Sequence, residues 1–249
     1  MIEWIDAFVA SKELSENSRA AYFYDLQQFA MTVCDTITRE KLALYEQSLT
    51  KLKVSVKKRK LSAVNQFLFF LYETGRIDTF FKLKNSEKLV AQVVKENLID
   101  RSLFYQETKY ISGQLIALLI LELGLAPNEL KEIRLIDLDL DFAILRLGKS
   151  GSVRVLEIPH QLLPYLERAV SSDQIYLFDK NGKSYSRQWF FQRLKDFLAE
   201  IGLTTLTAKD LRQQFILKQK EDGKSISQVS RLLGLKSPIT LEKYYKNGY

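Results

Sequence analysis

The amino-acid sequence predicts a mainly α protein with a small β-hairpin, an α+β chain in two parts. Three observations predict it. From Met1 to about Tyr72 the apolar residues recur with a period near 3.6 and never alternate. One pair of short alternating runs, Ala143 to Leu147 and Val153 to Ile158, flanks the turn Gly148-Lys149-Ser150-Gly151. The last stretch, Thr204 to Tyr249, carries helix-capping pairs and stop glycines at close intervals.

Taken in order, the first part reads as four helices. The first puts Ile2, Ile5 and Phe8 or Val9 on one stripe, and Leu14-Ser15-Glu16-Asn17 breaks it. A second carries Tyr22, Leu26 and Phe29 at helical spacing. A third runs from about Thr38 to Leu49 with Leu42, Tyr45 and Leu49 inward. The fourth begins near Ser55 and lines up Leu61, Val64, Leu68 and Leu71. It opens on Lys57-Lys58-Arg59-Lys60, which is either a solvated helix face or a helix end laid against a phosphate backbone.

Thr74-Gly75 ends the fourth helix, and a mixed charged stretch to about Leu103 reads as a linker, helical in part from Glu87 to Glu96. A helix then holds Leu115, Leu118, Leu119, Ile120 and Leu123, apolar nearly all round and so buried, and Gly124 stops it. The hairpin follows. After it come a helix from about Gln161 to Val170, an apolar run Ile175 to Phe178, and a helix from Ser186 to Glu200 with Trp189, Phe190, Leu194 and Phe197 as core.

At the C-terminal end Thr207 with Asp210, and Ser225 with Gln228, each match a capping box. Ser237-Pro238 sets a capping serine before a proline at the first helical position. Gly223 and Gly234 stand where helices should stop. The array sets Arg212, Gly234 and Tyr244 at fixed intervals.

Composition narrows the function classes. A chain of 249 residues with 46% hydrophobic and 27% charged residues has room for one large or two modest cores. The formal charge of +7 favours a polyanionic partner, nucleic acid first. Cys34 is the single cysteine and His160 the single histidine, so no disulfide framework and no cysteine or histidine metal site is expected. His160 follows Pro159 at a helix start and reads as structural. The start MIEWIDAFVASKELS lacks a basic leader, and Leu115 to Leu125 is too short for a bilayer and broken by Glu122, so the expected location is the cytoplasm.

Several of these stretches resemble the tyrosine recombinases, the phage integrase and Xer family. The family's C-terminal box is His or Lys, two residues, Arg, then Leu-Leu-Gly-His and a tyrosine a short helix later. Here Lys209-Asp210-Leu211-Arg212, Leu232-Leu233-Gly234-Leu235 and Tyr244 are similar, and the register from Gly234 selects Tyr244 over Tyr245 by one residue. Leu14 to Phe29, LSENSRAAYFYDLQQF, resembles the opening of the Xer core-binding domain. Leu123 to Leu130 resembles the box Thr-Gly-Leu-Arg-x-x-Glu-Leu, with Glu129 at its acidic position and Ala126 where its arginine stands. The hairpin resembles the one whose Gly-Lys turn supplies a catalytic lysine, which falls on Lys149.

The resemblance implies a helical core-binding domain over 1–73, a linker over 74–104 and a recombinase catalytic domain over 105–249. It implies duplex DNA as partner, with Lys57, Lys58, Arg59 and Lys60 toward it, and chemistry without metal or cofactor. In the family the tyrosine attacks a phosphodiester, two arginines bracket the phosphate, and the hairpin lysine protonates the leaving oxygen. Carried over, Tyr244 is the nucleophile, Arg212 the second arginine, Lys149 the acid, and Lys209 and Glu129 are candidate catalytic or phosphate-binding groups. Without that context, Lys149 would read as a solvated turn residue.

Two departures matter. Ala126 and Leu235 stand where the family has arginine and histidine or tryptophan, and neither side chain donates a hydrogen bond or carries charge. Losing one oxyanion donor costs roughly 10²–10³ in rate, and two losses on the order of 10⁴–10⁶, with non-additivity expected. Arg134 is expected to point away from the slot that Ala126 fills. Only Tyr245 to Tyr249 follow the tyrosine, too few for the family's donated helix, so a monomer is expected. Three readings stay open: a slow recombinase, an inactive DNA-binding accessory protein with the same clamp, and a generic helical DNA binder in which Tyr244 only packs.

Overall fold

A computed structural model describes residues 1–34, 36–84, 97–148 and 153–245. The chain forms two compact units, Met1–Gln92 and Val93–Tyr249.

The first unit contains four helices: α1 (Ile2–Ala10), α2 (Glu16–Val33), α3 (Arg39–Ser48) and α4 (Val54–Glu73). Ser15 caps α2 by accepting the Ser18 N–H, and Thr38 caps α3 by accepting the Lys41 N–H. The stripes foreseen from periodicity meet in one core of Ile5, Phe8, Leu26, Phe29, Tyr45 and Phe67. Each such side chain contributes about 1.5–3 kcal/mol by leaving water. Phe29 and Tyr45 meet edge to face at 5.0 Å, the arrangement ring quadrupoles favour.

The stretch after α4 does not leave this unit at once. Asn65 donates to the Leu83 carbonyl at 2.9 Å and accepts the Leu83 N–H at 2.8 Å, which docks Leu83 into the core. At the other end of the expected linker, Phe104 is fully buried in the second unit, and Arg101 pairs with Glu122 at 2.9 Å. The helical segment foreseen over Glu87 to Glu96 lies outside the described residues.

The second unit is built round α5 (Ile111–Leu123), which packs against α8 (Arg187–Glu200) and α9 (Ala208–Glu221) once these fold over it. Ten of its residues, from Gly113 to Leu121 and Leu123, are buried, as an all-round apolar helix requires. After a short helix α6 (Pro127–Leu130) come β1 (Leu138–Asp139), β2 (Ile144–Leu147) and β3 (Arg154–Glu157) in an antiparallel sheet. The register sets Leu145 against Leu156 and Leu147 against Arg154. Sequence alternation marks β2 and β3; β1, two residues long, has too little length to alternate.

The helix expected over 161–170 is shorter: a 3-10 turn, His160–Leu162, leads into α7 (Leu163–Glu167), and single turns close it. The apolar run Ile175 to Phe178 pairs its backbone with Ile133 and Leu135 at 3.0 Å. Beyond it a second hairpin, β4 (Asp179–Lys180) with β5 (Lys183–Ser184), turns on Asn181 and Gly182, both at positive φ. The chain closes with α10 (Ile226–Leu232), a 3-10 turn Pro238–Leu241 and α11 (Glu242–Tyr245). Among the described residues no helix is long and apolar enough to cross a membrane.

Candidate active site

Two reciprocal capping boxes set the frame. Thr207 and Asp210 exchange bonds at the start of α9, and Ser225 and Gln228 do so at the start of α10. With its start fixed, α9 turns Arg212 inward. The Arg212 Nε–H donates to the Gly124 carbonyl at 2.8 Å and Nη2 donates to the Leu233 carbonyl at 3.2 Å. One planar guanidinium therefore ties the end of α5 to the end of α10, a fork geometry that lysine lacks.

Gly124 makes that approach possible. It closes α5 in the left-handed region at φ 66°, and a Cβ there would lie 2.5 Å from the Phe215 ring and 2.8 Å from Leu233. Gly234 does the same for α10: φ is 62°, the Leu235 N–H reaches back to the Ser230 carbonyl at 3.0 Å, and a Cβ would meet Arg154 Nη1 at 2.8 Å.

The arginine found against Gly234 is one that sequence reasoning missed. Arg154 lies on β3 with its side chain 14% exposed. Nη1 donates to the Leu232 carbonyl at 2.8 Å, and Nη2 pairs with Glu129 Oε1. The other oxygen of Glu129 accepts the Ala126 N–H at 2.6 Å, so Glu129 caps α6 from its third position while holding a cation. Strand alternation was the available signal: Arg154 shares a face with Leu156 and Ile158, both buried, and a charge on a buried face requires a partner.

Electrostatics knit these groups together. Burial pushes the Arg212 pKa below its ordinary value and the neighbouring Arg154 charge adds to this; the Glu129 carboxylate and the Tyr244 phenol oppose it. Arginine stays protonated throughout. Two guanidiniums and one carboxylate thus form a half-buried cluster, with a phenol in electrostatic range of Arg212.

Tyr244 is 6% exposed and packs with Phe215, Val229, Leu233 and Leu241; the Lys243 ammonium lies 4.9 Å from its ring centroid. Its neighbour faces elsewhere. The Tyr245 hydroxyl donates to the Lys224 carbonyl at 2.8 Å, and burial raises its pKa. The two tyrosines are separated by environment, and Tyr244 is the one close to Arg212.

Lys209 is exposed on the first turn of α9, one helical turn ahead of Arg212. Lys149 and its turn lie outside the described residues. Leu235 packs against the C-terminal apolar cluster. Arg134 places its guanidinium 5.9 Å from the Tyr176 ring. No group of three or more histidine, cysteine or carboxylate side chains could hold a metal among the described residues.

In the first unit the basic run divides. Lys57 and Lys58 are half-buried and Arg59 is exposed, but Lys60 is turned inward with its side chain 7% exposed. Lys60 Nζ pairs with Asp25 at 2.9 Å and also reaches Gln28, while Arg59 takes the second oxygen of Asp25. Lys60 therefore neutralises a fully buried carboxylate and is not part of a surface patch.

Comparison with known proteins decides the lineage. The model of the phage integrase family matches residues 92–249, the span of the second unit. The chain belongs to the phage integrase family. Two relatives in it are both described as "Tyrosine recombinase XerD-like". The Streptococcus agalactiae serotype Ia protein is 52% identical over 99% of this chain and 100% of its own length. The Streptococcus mutans serotype c protein is 51% identical over the same shares.

Solved structures agree in fold alone. The phage integrase family fold of this chain matches a lambda integrase dimer bound to a COC′ core site with a TM-score of 0.70, at 16% identity, over 98% of this chain and 94% of that one. It matches the Tn1549 transposon integrase in complex with circular intermediate DNA at 0.73, with 13% identity, over 96% and 93%. It matches XerH bound to its difH substrate, a pre-cleavage complex, at 0.69, with 16% identity, over 92% and 77%.

Proposed function

We propose that this phage integrase family protein binds duplex DNA and breaks and rejoins a strand through a 3′-phosphotyrosyl bond at Tyr244. The observation that carries the reading is that Tyr244 is buried in the cluster of Leu233, whose carbonyl accepts the fork-held Arg212 guanidinium. The Tyr244 phenol gives up its proton to water and its oxygen bonds to phosphorus as the bond to the 5′-oxygen breaks. Lys149 gives that oxygen its proton, and Arg212 meets the charge that grows on the non-bridging oxygens. On this reading Lys209 serves as a phosphate-binding or proton-transfer group. Glu129 holds the arginines in place. Side chains and water perform every step.

Ala126 and Leu235 favour a second reading, an accessory protein that binds DNA without cutting it. Supercoiled plasmid separates the two. Purified protein is incubated with it, quenched with detergent, and scored for relaxation and for protein joined covalently to DNA, with Tyr244→Phe and Tyr245→Phe alongside. An adduct lost only in Tyr244→Phe is the expected result. Salt-sensitive binding without an adduct from the wild type supports the accessory reading instead, and no binding at low salt sinks both.

A further inference from the structure

We infer that Arg154 is a phosphate-binding catalytic residue, delivering from strand β3 the cation that position 126, an alanine here, does not supply. The inference rests on the phosphoryl-transfer reading above and adds a residue to that site.

Placement comes first. Glu129 accepts the Ala126 N–H with one oxygen and the Arg154 guanidinium with the other. A single carboxylate's width thus separates the backbone of residue 126 from the Arg154 cation. An arginine rooted at 126 would leave from that same backbone. The guanidinium has entered the neighbourhood from another strand.

Charge comes second. Arg154 and Arg212 donate to successive carbonyls, those of Leu232 and Leu233, so the two cations are set side by side around Gly234. Glu129 neutralises one unit of this charge. A surplus positive charge remains in a half-buried cluster, and like charges held there are costly unless an anion joins them. A non-bridging phosphate oxygen meets that requirement, and paired guanidiniums are suited to phosphate geometry.

Access comes third. A side chain at 234 would collide with Arg154 Nη1, so a glycine there leaves the guanidinium its present position. The competing account is a clamp: Arg154 would only fasten α10 to Glu129, and no anion would be involved.

Orthovanadate, which mimics five-coordinate phosphorus, distinguishes the two when titrated calorimetrically into the full-length protein. Arg154→Gln keeps donors for Leu232 and Glu129 but loses the charge. It is expected to weaken vanadate binding about 10- to 100-fold and to lower adduct yield on supercoiled plasmid in parallel. Adding Ala126→Arg to Arg154→Gln is expected to restore most of both. Vanadate affinity unchanged in Arg154→Gln, or lost and not restored by Ala126→Arg, overturns the inference, as does a wild type that takes no vanadate. Should Arg154→Gln not fold, Arg154→Lys carries the test: a folded Lys variant that binds vanadate more weakly supports the guanidinium contact, and one with wild-type affinity overturns it. A wild type that binds vanadate but forms no adduct sinks strand cleavage and leaves the Arg154 site standing. An adduct that Arg154→Gln does not diminish has the reverse meaning.

Discussion

Arg154 and Arg212 hold the carbonyls of Leu232 and Leu233, neighbouring residues at the end of α10, with Arg154 lying against Gly234. One arginine comes from the sheet and the other from α9, so the cluster exists only when both elements have folded against α10. The last carbonyls of a helix carry partial negative charge and accept cations readily. The same contacts that close α10 therefore bring the Arg154 and Arg212 guanidiniums next to one another.

Arg212→Lys should cost stability as well as function. A single ammonium cannot span the Gly124 and Leu233 carbonyls, and the one left without a donor loses about 1–3 kcal/mol. A urea midpoint shift of that size at unchanged slope is expected, together with loss of the covalent adduct. An unshifted midpoint would mean the fork is not structural.

Gly124 and Gly75 both adopt positive φ, at 66° and 64°, yet only Gly124 is crowded. Alanine at either position meets backbone strain of about 1–2 kcal/mol. At Gly124 the added methyl would also press on Phe215 and Leu233, and overpacking adds roughly 1–3 kcal/mol. Nothing lies within 4 Å of the added Cβ at Gly75. Urea unfolding of Gly124→Ala should therefore show the larger loss, and equal losses would contradict the packing described here.

Asp179 sets an acid limit on the second hairpin. Its carboxylate accepts N–H groups from Gly182, Tyr176 and Ile175, which holds its pKa below the ordinary carboxylate value. A depressed folded pKa means stability present above the unfolded value, about 3.9, and lost as pH falls through the folded one. Thermal melts from pH 5 downward should show a decline that Asp179→Asn reduces. An identical decline in both proteins would remove Asp179 from the account.

Local signals were legible in the sequence, and distant pairings were not. Thr207 with Asp210 and Ser225 with Gln228 announce helix starts because each partner lies three residues away, and both boxes form. The buried helix α5 and the β2–β3 hairpin were legible for the same reason, since their patterns are complete within one segment. Arg154 carries no local signal, because its partners Glu129 and Leu232 lie far from it in the chain. Lys60 read as one of four surface cations, although it shares a helical face with Val64, Phe67 and Leu71; its partner Asp25 sits on another helix. The β4–β5 hairpin has a good turn in Asn181-Gly182, but strands of two residues leave no hydropathy pattern.

The divided basic run makes the last prediction, and it separates folding from DNA affinity. Asp25 is fully buried between Arg59 and Lys60, so Asp25→Ala strands the Lys60 ammonium, at a cost of about 3–5 kcal/mol. Replacing the pair together, Asp25→Leu with Lys60→Met, should recover most of that loss, because well-packed apolar residues substitute for a buried ion pair at little cost. Lys58, half-buried at the surface of α4, belongs to a different test. On the DNA-binding reading, Lys58→Gln should leave the urea midpoint in place and lower the slope of log affinity against log salt by about 1. Lys60→Gln should do the opposite, lowering the midpoint while the salt slope of the folded fraction stays as in the wild type. Both quantities come from the same purified variants, by urea titration and by duplex binding at several salt concentrations. A salt slope that falls in Lys60→Gln and not in Lys58→Gln would reverse the assignment of these two lysines.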